Sequence, residues 1–147
     1  MTTRAEIVAA ARSQLGIRVQ HQAALKDVAA DCIGMLLIVA QICDMPQVLA
    51  FMQDIRFKGY SRPPNPRLLI AACDAYLDRI IPTQALPGDI TLGRIEKEPQ
   101  HFGLLSSIDP PRIIHAYEQV GRVTENIVDA NWRAKMVRMY RFRGIDG

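Results

Sequence analysis

The pattern of apolar and polar positions divides the chain into a helical first half and a strand-rich second half. Thr3-Arg4-Ala5-Glu6 forms a capping box, so a helix is predicted to begin near Arg4. An apolar run from Ile33 to Ile42 predicts a second helix, which should end near Cys43-Asp44, before Pro46. Between these two helices, residues 16–30 show no sustained periodicity and are predicted to be irregular.

Prolines and apolar spacing delimit two further helices. A short helix is predicted over 46–56, with Pro46 near its start. Segment 58–65 (KGYSRPPN) is predicted to be a loop, because adjacent prolines are incompatible with a helix interior. A longer helix is predicted over 68–80, with Cys73 as part of its buried face.

After Pro82 the pattern changes to short apolar runs separated by turns. Strands are predicted over 90–95, 102–106, 112–117, 122–127 and 137–142, and Asp129 can cap one helical turn through Trp132. Helices followed by consecutive strands indicate an α+β fold with a C-terminal antiparallel sheet. The length of 147 residues fits a single domain, 1–147.

Composition and charge exclude several classes of protein. The net charge is +3, and no clustered basic stripe is present, so no nucleic-acid partner is expected. The longest apolar run, about ten residues, is too short to span a bilayer. Charges interrupt the N-terminal stretch where a signal peptide would be apolar, so synthesis in the cytoplasm is expected, with delivery by other components if the protein acts outside.

The three cysteines do not indicate a disulfide framework, because their number is odd and none forms a CxxC pair. Cys32 differs from the other two in its position. Asp31 is a suitable N-cap for the Ile33 helix, which places Cys32 in the first turn, where the helix dipole stabilises a thiolate. Cys32 is therefore a candidate nucleophile, with a buried structural cysteine as the alternative, whereas Cys43 and Cys73 are interpreted as structural.

Two of the three histidines lie on neighbouring predicted strands. His101 begins one strand and His115 lies inside the next, so an antiparallel pair can place them side by side on one face. The cysteine helix is expected to pack against that face. A thiol requires a base, and the base requires a polar partner that sets its tautomer, so Cys32, His101 and His115 match a nucleophile, a base and an orienting residue. Zinc ligation by the same three residues is a weaker alternative, because they are far apart in sequence.

These residues carry a resemblance to a known family. The chain resembles the NlpC family of cell-wall cysteine peptidases, and most of all the short version found in phage tails and gene transfer agents. The matching segments occur in the family's order and cover nearly the whole chain: AARSQLG, HQ, DCIG, PGDI, HFGLL, IIHAY and the closing NWR and MYRFR.

The resemblance implies a papain-like fold and a Cys-His-His triad. Cys32 would be the nucleophile, His101 the general base and His115 the orienting residue, and the Cys32 backbone N–H would contribute to an oxyanion hole. It implies hydrolysis of amide bonds in peptidoglycan stem peptides, typically between D-γ-glutamate and a diamino acid, with no metal and no cofactor. Expected partners are the stem peptides and tail-tip or hub proteins, with no membrane insertion, and the expected location is a virion or tail acting at the host cell wall.

Three further residues are candidates for substrate binding. His21 and Gln22 match the family's HQ segment and are expected either to line the cleft or to hold the loop backbone. Asp31 is expected to act first as a helix cap. The chain departs from the family in having Ile33 where many members have serine, and in lacking a cleft tyrosine near Val19. The lost tyrosine favours one alternative function, a structural tail-tip or hub subunit with little activity, and a papain-like amidase is another.

Overall fold

The computed structural model describes residues 2–57, 66–95 and 98–146, without the side chains of 52–57, 66, 95 and 98–100. The loop predicted at 58–65 lies outside these residues. The helices are α1 (Arg4–Arg12), α2 (Cys32–Ile42), α3 (Pro46–Phe57), α4 (Pro66–Tyr76) and α5 (Ala130–Lys135), with a short 3-10 turn at Pro82–Gln84. The strands are β1 (Arg18–Val19), β2 (Ala24–Leu25), β3 (Ala29–Ala30), β4 (Asp78–Ile80), β5 (Ile90–Ile95), β6 (Glu98–Ile108), β7 (Pro111–Tyr117), β8 (Arg122–Ile127) and β9 (Met136–Arg141).

Within the described ranges the strands form one sheet in the order β2-β3-β1-β8-β7-β6-β5-β9-β4. Strands β5 to β8 pair antiparallel with their chain neighbours, and β9 returns to pair with β5 on its other side. Only the two-residue β1 and β3 pair in parallel in this sheet. The α+β class predicted from the sequence is confirmed, with the helices mainly in the first half and the long strands in the second.

Helix α2 lies at the centre of the main hydrophobic core. Every residue from Cys32 to Ala40 is buried, which explains why this helix is apolar on all sides. One face of the sheet contributes alternate side chains to the same cluster, among them Leu92, Phe102, Leu104 and Ile114. The opposite face carries a smaller cluster beneath α5 that includes Leu105, Ile113 and Met139.

The region after α4 differs from the prediction. The predicted helix 68–80 ends at Tyr76, and Asp78–Ile80 instead forms β4, paired with β9 from Met139 to Arg141. The pairing partner is about 60 residues away in sequence, so local periodicity contains no sign of it. The irregular segment predicted over 16–30 contains the three two-residue strands, which are too short to leave a periodic pattern.

A buried carboxylate connects the first and last elements of the fold. Asp89, just before β5, is fully buried and forms ion pairs with Arg4 of α1 at 2.9 Å and Arg141 of β9 at 2.9 Å. Its Oδ2 also accepts the Leu86 N–H, which closes the Pro-Gly turn before β5. No helix in the described ranges has the length and apolar character needed to cross a membrane.

Candidate active site

The candidate nucleophile lies at the start of α2, as predicted. Asp31 adopts an extended backbone and its Oδ1 accepts the Gly34 N–H at 2.7 Å, so Asp31 is the N-cap and Cys32 opens the helix. The Cys32 side chain is only 9% exposed, and the thiol is free of any disulfide. The free N–H groups of the first turn of α2 therefore lie at the same helix end as Cys32, where negative charge is favoured.

The same aspartate ties the His21-Gln22 segment to the start of α2. Its second oxygen, Oδ2, accepts the Gln22 N–H at 2.6 Å, and its backbone N–H donates to the Ala23 carbonyl at 3.1 Å. Gln22 has φ of 62°, a left-handed conformation that these bonds hold in place. His21 and Gln22 are thus brought next to Cys32, and their binding of substrate stays a prediction.

The two predicted histidines form a buried hydrogen-bonded pair. His101 on β6 and His115 on β7 lie with Nε2 and Nδ1 2.8 Å apart. His115 is fully buried, and its Nε2 lies 2.9 Å from Oδ1 of Asn126 on β8. The Thr124 hydroxyl donates to the same Oδ1 at 2.7 Å. The sheet therefore holds a continuous chain of polar contacts across three adjacent strands.

Strand alternation and a glycine allow this contact. His101, Gly103 and Leu105 alternate with the core side chains Phe102 and Leu104 along β6, so the His101 ring lies outside the main hydrophobic core. A Cβ atom at Gly103 would lie 3.7 Å from His115 Cβ and 2.7 Å from the Thr91 hydroxyl. The absence of a side chain at Gly103 leaves room for the diagonal contact between His101 and His115.

Aromatic side chains cover the histidine pair. Tyr117 stacks on His115 with ring centroids 5.3 Å apart and an interplanar angle of 8°. Trp132 of α5 meets the His115 ring edge-on at 5.0 Å and lies 6.1 Å from the His101 ring. Lys135 places its ammonium 5.0 Å above the Trp132 ring. These rings restrict access of water to the hydrogen bond between the histidines.

Cys32 approaches the histidine strand through the backbone of β6. The Phe102 N–H is hydrogen-bonded to the Cys32 sulfur, which places the thiol beside the peptide that joins Phe102 to His101. Helix α2 packs on the core side of β6 that carries Phe102, the chain neighbour of His101.

Burial gives this site a neutral thiol and a neutral imidazole. Burial and the neighbouring Asp31 charge raise the pKa of Cys32 to about 12, against smaller lowering effects of the backbone N–H groups. Burial, His115 and Lys135 lower the pKa of His101 to about 3. The N–H groups at the helix start do lower the Cys32 pKa, and burial has the larger effect.

The structure brings together most of the predicted site residues and adds others. Asn126, Thr124, Trp132 and Lys135 belong to the arrangement but were not predicted as site residues. Asn126 lies two positions along β8 from Thr124, which is directly opposite His115, so the register of β7 and β8 would have identified it. Across the described residues, no three His, Cys, Asp or Glu side chains form a metal-binding group.

Comparisons with known proteins identify the fold. No family model matches the sequence, and no curated protein matches it either. Solved structures do match. An NLP/P60-family protein from Staphylococcus aureus, described as similar to lipoprotein, superposes with a TM-score of 0.66 at 14% identity. The match covers 98% of this chain and 42% of that one. NlpC1 from Trichomonas vaginalis gives a TM-score of 0.66 at 16% identity, with 97% and 45% covered.

The fold is that of the NlpC/P60 proteins. A further match is the peptidoglycan hydrolase RipB from Mycobacterium tuberculosis, with a TM-score of 0.57 at 17% identity, covering 94% of this chain and 63% of that one. The papain-like architecture predicted from the sequence is confirmed by these structures. This chain spans less than half the length of the first two structures it matches.

Proposed function

We propose that this protein is a cysteine peptidase that hydrolyses amide bonds in peptidoglycan stem peptides. The observation that carries the proposal is the polar chain from His101 through His115 to Asn126, on the strand whose Phe102 amide contacts the Cys32 thiol. A buried thiol at a helix start, a buried imidazole on the strand that this thiol contacts and a polar partner for that imidazole are the groups that acyl transfer requires. Further support comes from RipB, a peptidoglycan hydrolase with a similar fold.

In the proposed mechanism, His101 accepts the Cys32 proton as the sulfur attacks the carbonyl carbon of the scissile amide. The resulting oxyanion faces the N–H groups at the start of α2. His101 then protonates the amine as the C–N bond breaks, which leaves a thioester on Cys32. Water, deprotonated by His101, attacks the thioester carbonyl, and the thiol recovers its proton as the peptide acid leaves.

The starting state of this reaction is neutral. Because burial raises the Cys32 pKa and lowers the His101 pKa, the proposed proton transfer accompanies the attack on substrate. The developing imidazolium is stabilised through His115, whose own protonated form Asn126 favours by hydrogen bonding. Substrate that displaces water from the site strengthens both interactions.

We also propose the bond and the setting. The scissile bond is the one between D-γ-glutamate and a diamino acid, and the setting is a phage or phage-like tail that opens the host cell wall during DNA delivery. Both follow from the resemblance to the phage-type NlpC peptidases that the ordered motifs DCIG, HFGLL, IIHAY and NWR carry. Peptide mass spectrometry of purified tail particles tests the setting, since the chain should be present in them and absent from particle-free supernatant.

The decisive experiment is digestion of purified peptidoglycan by wild type, Cys32→Ala and Cys43→Ala, with mass spectrometry of the soluble fragments. We expect wild type and Cys43→Ala to release fragments cut between D-glutamate and the diamino acid. Cys32→Ala should reduce release by at least about 100-fold, because it removes the nucleophile and leaves the base without a proton to accept. Circular dichroism confirms that each variant is folded.

The other outcomes distinguish the alternative functions. Release of intact stem peptides from the sugar would indicate an amidase with the same nucleophile. Equal activity of Cys32→Ala and wild type would refute the mechanism. No fragments from folded wild-type protein, with isolated stem peptides or intact wall as substrate, would reject the peptidase proposal in favour of a structural tail-tip or hub subunit.

A further inference from the structure

We infer that Asn126 is a positioning residue that sets the tautomers of both histidines and thereby makes His101 a base toward Cys32. This inference rests on the proposed peptidase function for its kinetic consequences. The observation behind it is the chain of three contacts that ends at the Asn126 carbonyl oxygen, with distances of 2.8, 2.9 and 2.7 Å. Asn126 matches none of the motif segments in the sequence.

The direction of each hydrogen bond follows from the one atom that has no proton. The Asn126 Oδ1 is an acceptor only, so His115 Nε2 must donate to it. Neutral His115 then has a lone pair on Nδ1, which accepts from His101 Nε2. Neutral His101 therefore has its lone pair on Nδ1, where a proton from the thiol can be accepted.

Reversal of the Asn126 amide would reverse the donor and acceptor roles in both hydrogen bonds of the histidines. An N–H donated to His115 Nε2 would put the His115 proton on Nδ1, and His101 would then accept on Nε2 and carry its proton on Nδ1. His101 could not then accept the thiol proton. The Thr124 hydroxyl lies opposite His115 on β8 and, in the orientation that the base requires, donates to the Asn126 Oδ1.

The location of Asn126 suits this role and its test. His101 and His115 are buried, whereas Asn126 is exposed at the outer end of the contact chain. Neither the main core nor the cluster beneath α5 includes it. Substitutions at Asn126 therefore change the end of the polar chain with little effect on packing.

The experiment compares Asn126→Leu, Asn126→Asp and the control Asn131→Leu, an exposed asparagine of α5 outside the contact chain. Leucine keeps the approximate shape and removes the acceptor, so kcat on a stem peptide should fall about 100-fold with KM little changed. Aspartate keeps an acceptor and adds a negative charge. It should retain most of kcat and move the acidic limb of the pH profile upward by about one pH unit.

A second measurement reads the tautomers without any activity. Nitrogen-15 NMR of the histidine rings should show both His101 and His115 protonated on Nε2 in wild type, Asn126→Asp and Asn131→Leu. Asn126→Leu should convert His115 to a mixture of tautomers. Unchanged ring shifts in Asn126→Leu, or kcat equal to that of Asn131→Leu, would overturn the inference. Absence of wild-type cleavage with the expected ring shifts would reject the peptidase proposal alone.

Discussion

At the scale of the residue, desolvation has the largest effect on the candidate chemistry. Cys32 and His101 are both less than one-tenth exposed, and burial moves the pKa of each toward its neutral form. Lys135 adds to this effect at His101, because its positive charge disfavours a second cation nearby. Wild-type protein thus keeps a thiol and an imidazole in its resting site.

The lowered histidine pKa values predict a loss of stability in acid. A histidine that stays neutral in the folded protein contributes stability above its unfolded pKa of about 6.5, and that contribution falls as the pH drops toward the folded value. Each of His101 and His115 should lower the free energy of unfolding by up to about 1.4 kcal/mol per pH unit below 6.5. Urea unfolding of wild type and His101→Gln from pH 7 to 4.5 measures this.

The expected result is a shallower pH dependence in His101→Gln. The variant lacks one of the two histidines whose protonation favours the unfolded chain, so its slope below pH 6.5 should be smaller. Identical slopes for the two proteins would contradict the assignment of a buried neutral His101.

At the scale of the element, the start of α2 depends on a close approach between two backbone segments. A Cβ atom at Gly34 would lie 1.8 Å from the Ala23 carbonyl oxygen, which itself accepts the Asp31 N–H. Glycine at this position lets the His21-Gln22 segment pack directly on the first turn of the helix. The glycine of the DCIG motif therefore allows close packing next to the nucleophile.

Gly34→Ala should destabilise the protein by about 1–3 kcal/mol, although alanine favours helix more than glycine does. The Ala23 carbonyl cannot yield without loss of its bond to Asp31. Gly93→Ala is a suitable control, since its nearest contact would be a carbonyl at 3.4 Å. The midpoints of urea unfolding should fall clearly further for Gly34→Ala than for Gly93→Ala. A larger fall for Gly93→Ala than for Gly34→Ala would show that the His21-Gln22 segment can move away from α2 without loss of stability.

At the scale of the whole molecule, the Asp89 carboxylate joins elements that are distant in sequence. Its ion pairs connect α1 and β9 at the turn before β5, and its side chain is completely buried. A buried carboxylate with two arginine partners leaves both cations without full compensation if it is neutralised. This arrangement closes the fold by holding its first helix against its last strand.

Asp89→Asn should lower the free energy of unfolding by about 3 kcal/mol, because it removes the buried carboxylate that pairs with Arg4 and Arg141. Asp78→Asn provides the control, since its ion pair with Arg143 is exposed on both sides. Asp78→Asn should lower the free energy of unfolding by less than about 1 kcal/mol. Thermal unfolding of the three proteins at neutral pH compares them, and equal melting temperatures would show that the Asp89 pairs contribute nothing net.

The sequence by itself determined the local elements where chemistry and periodicity act within a few residues. The capping oxygens of Thr3, Asp31 and Asp129 mark helix starts in the structure as they do in the sequence. Strands β5 and β8 have the predicted bounds, because alternating apolar residues and flanking turns specify them. Cys32 and the two histidines were also identifiable as reactive residue types in a suitable order.

Only the tertiary structure decided which partners these residues contact and how deeply they are buried. The register of β7 and β8 places Asn126 against His115, and the burial of α2 raises the pKa of Cys32 against the dipole of its own helix. Strand β4 exists because it pairs with β9, although its sequence continues a helical pattern. Hydrogen-bond partners and desolvation depend on contacts between distant segments, and no local pattern of residues contains those contacts.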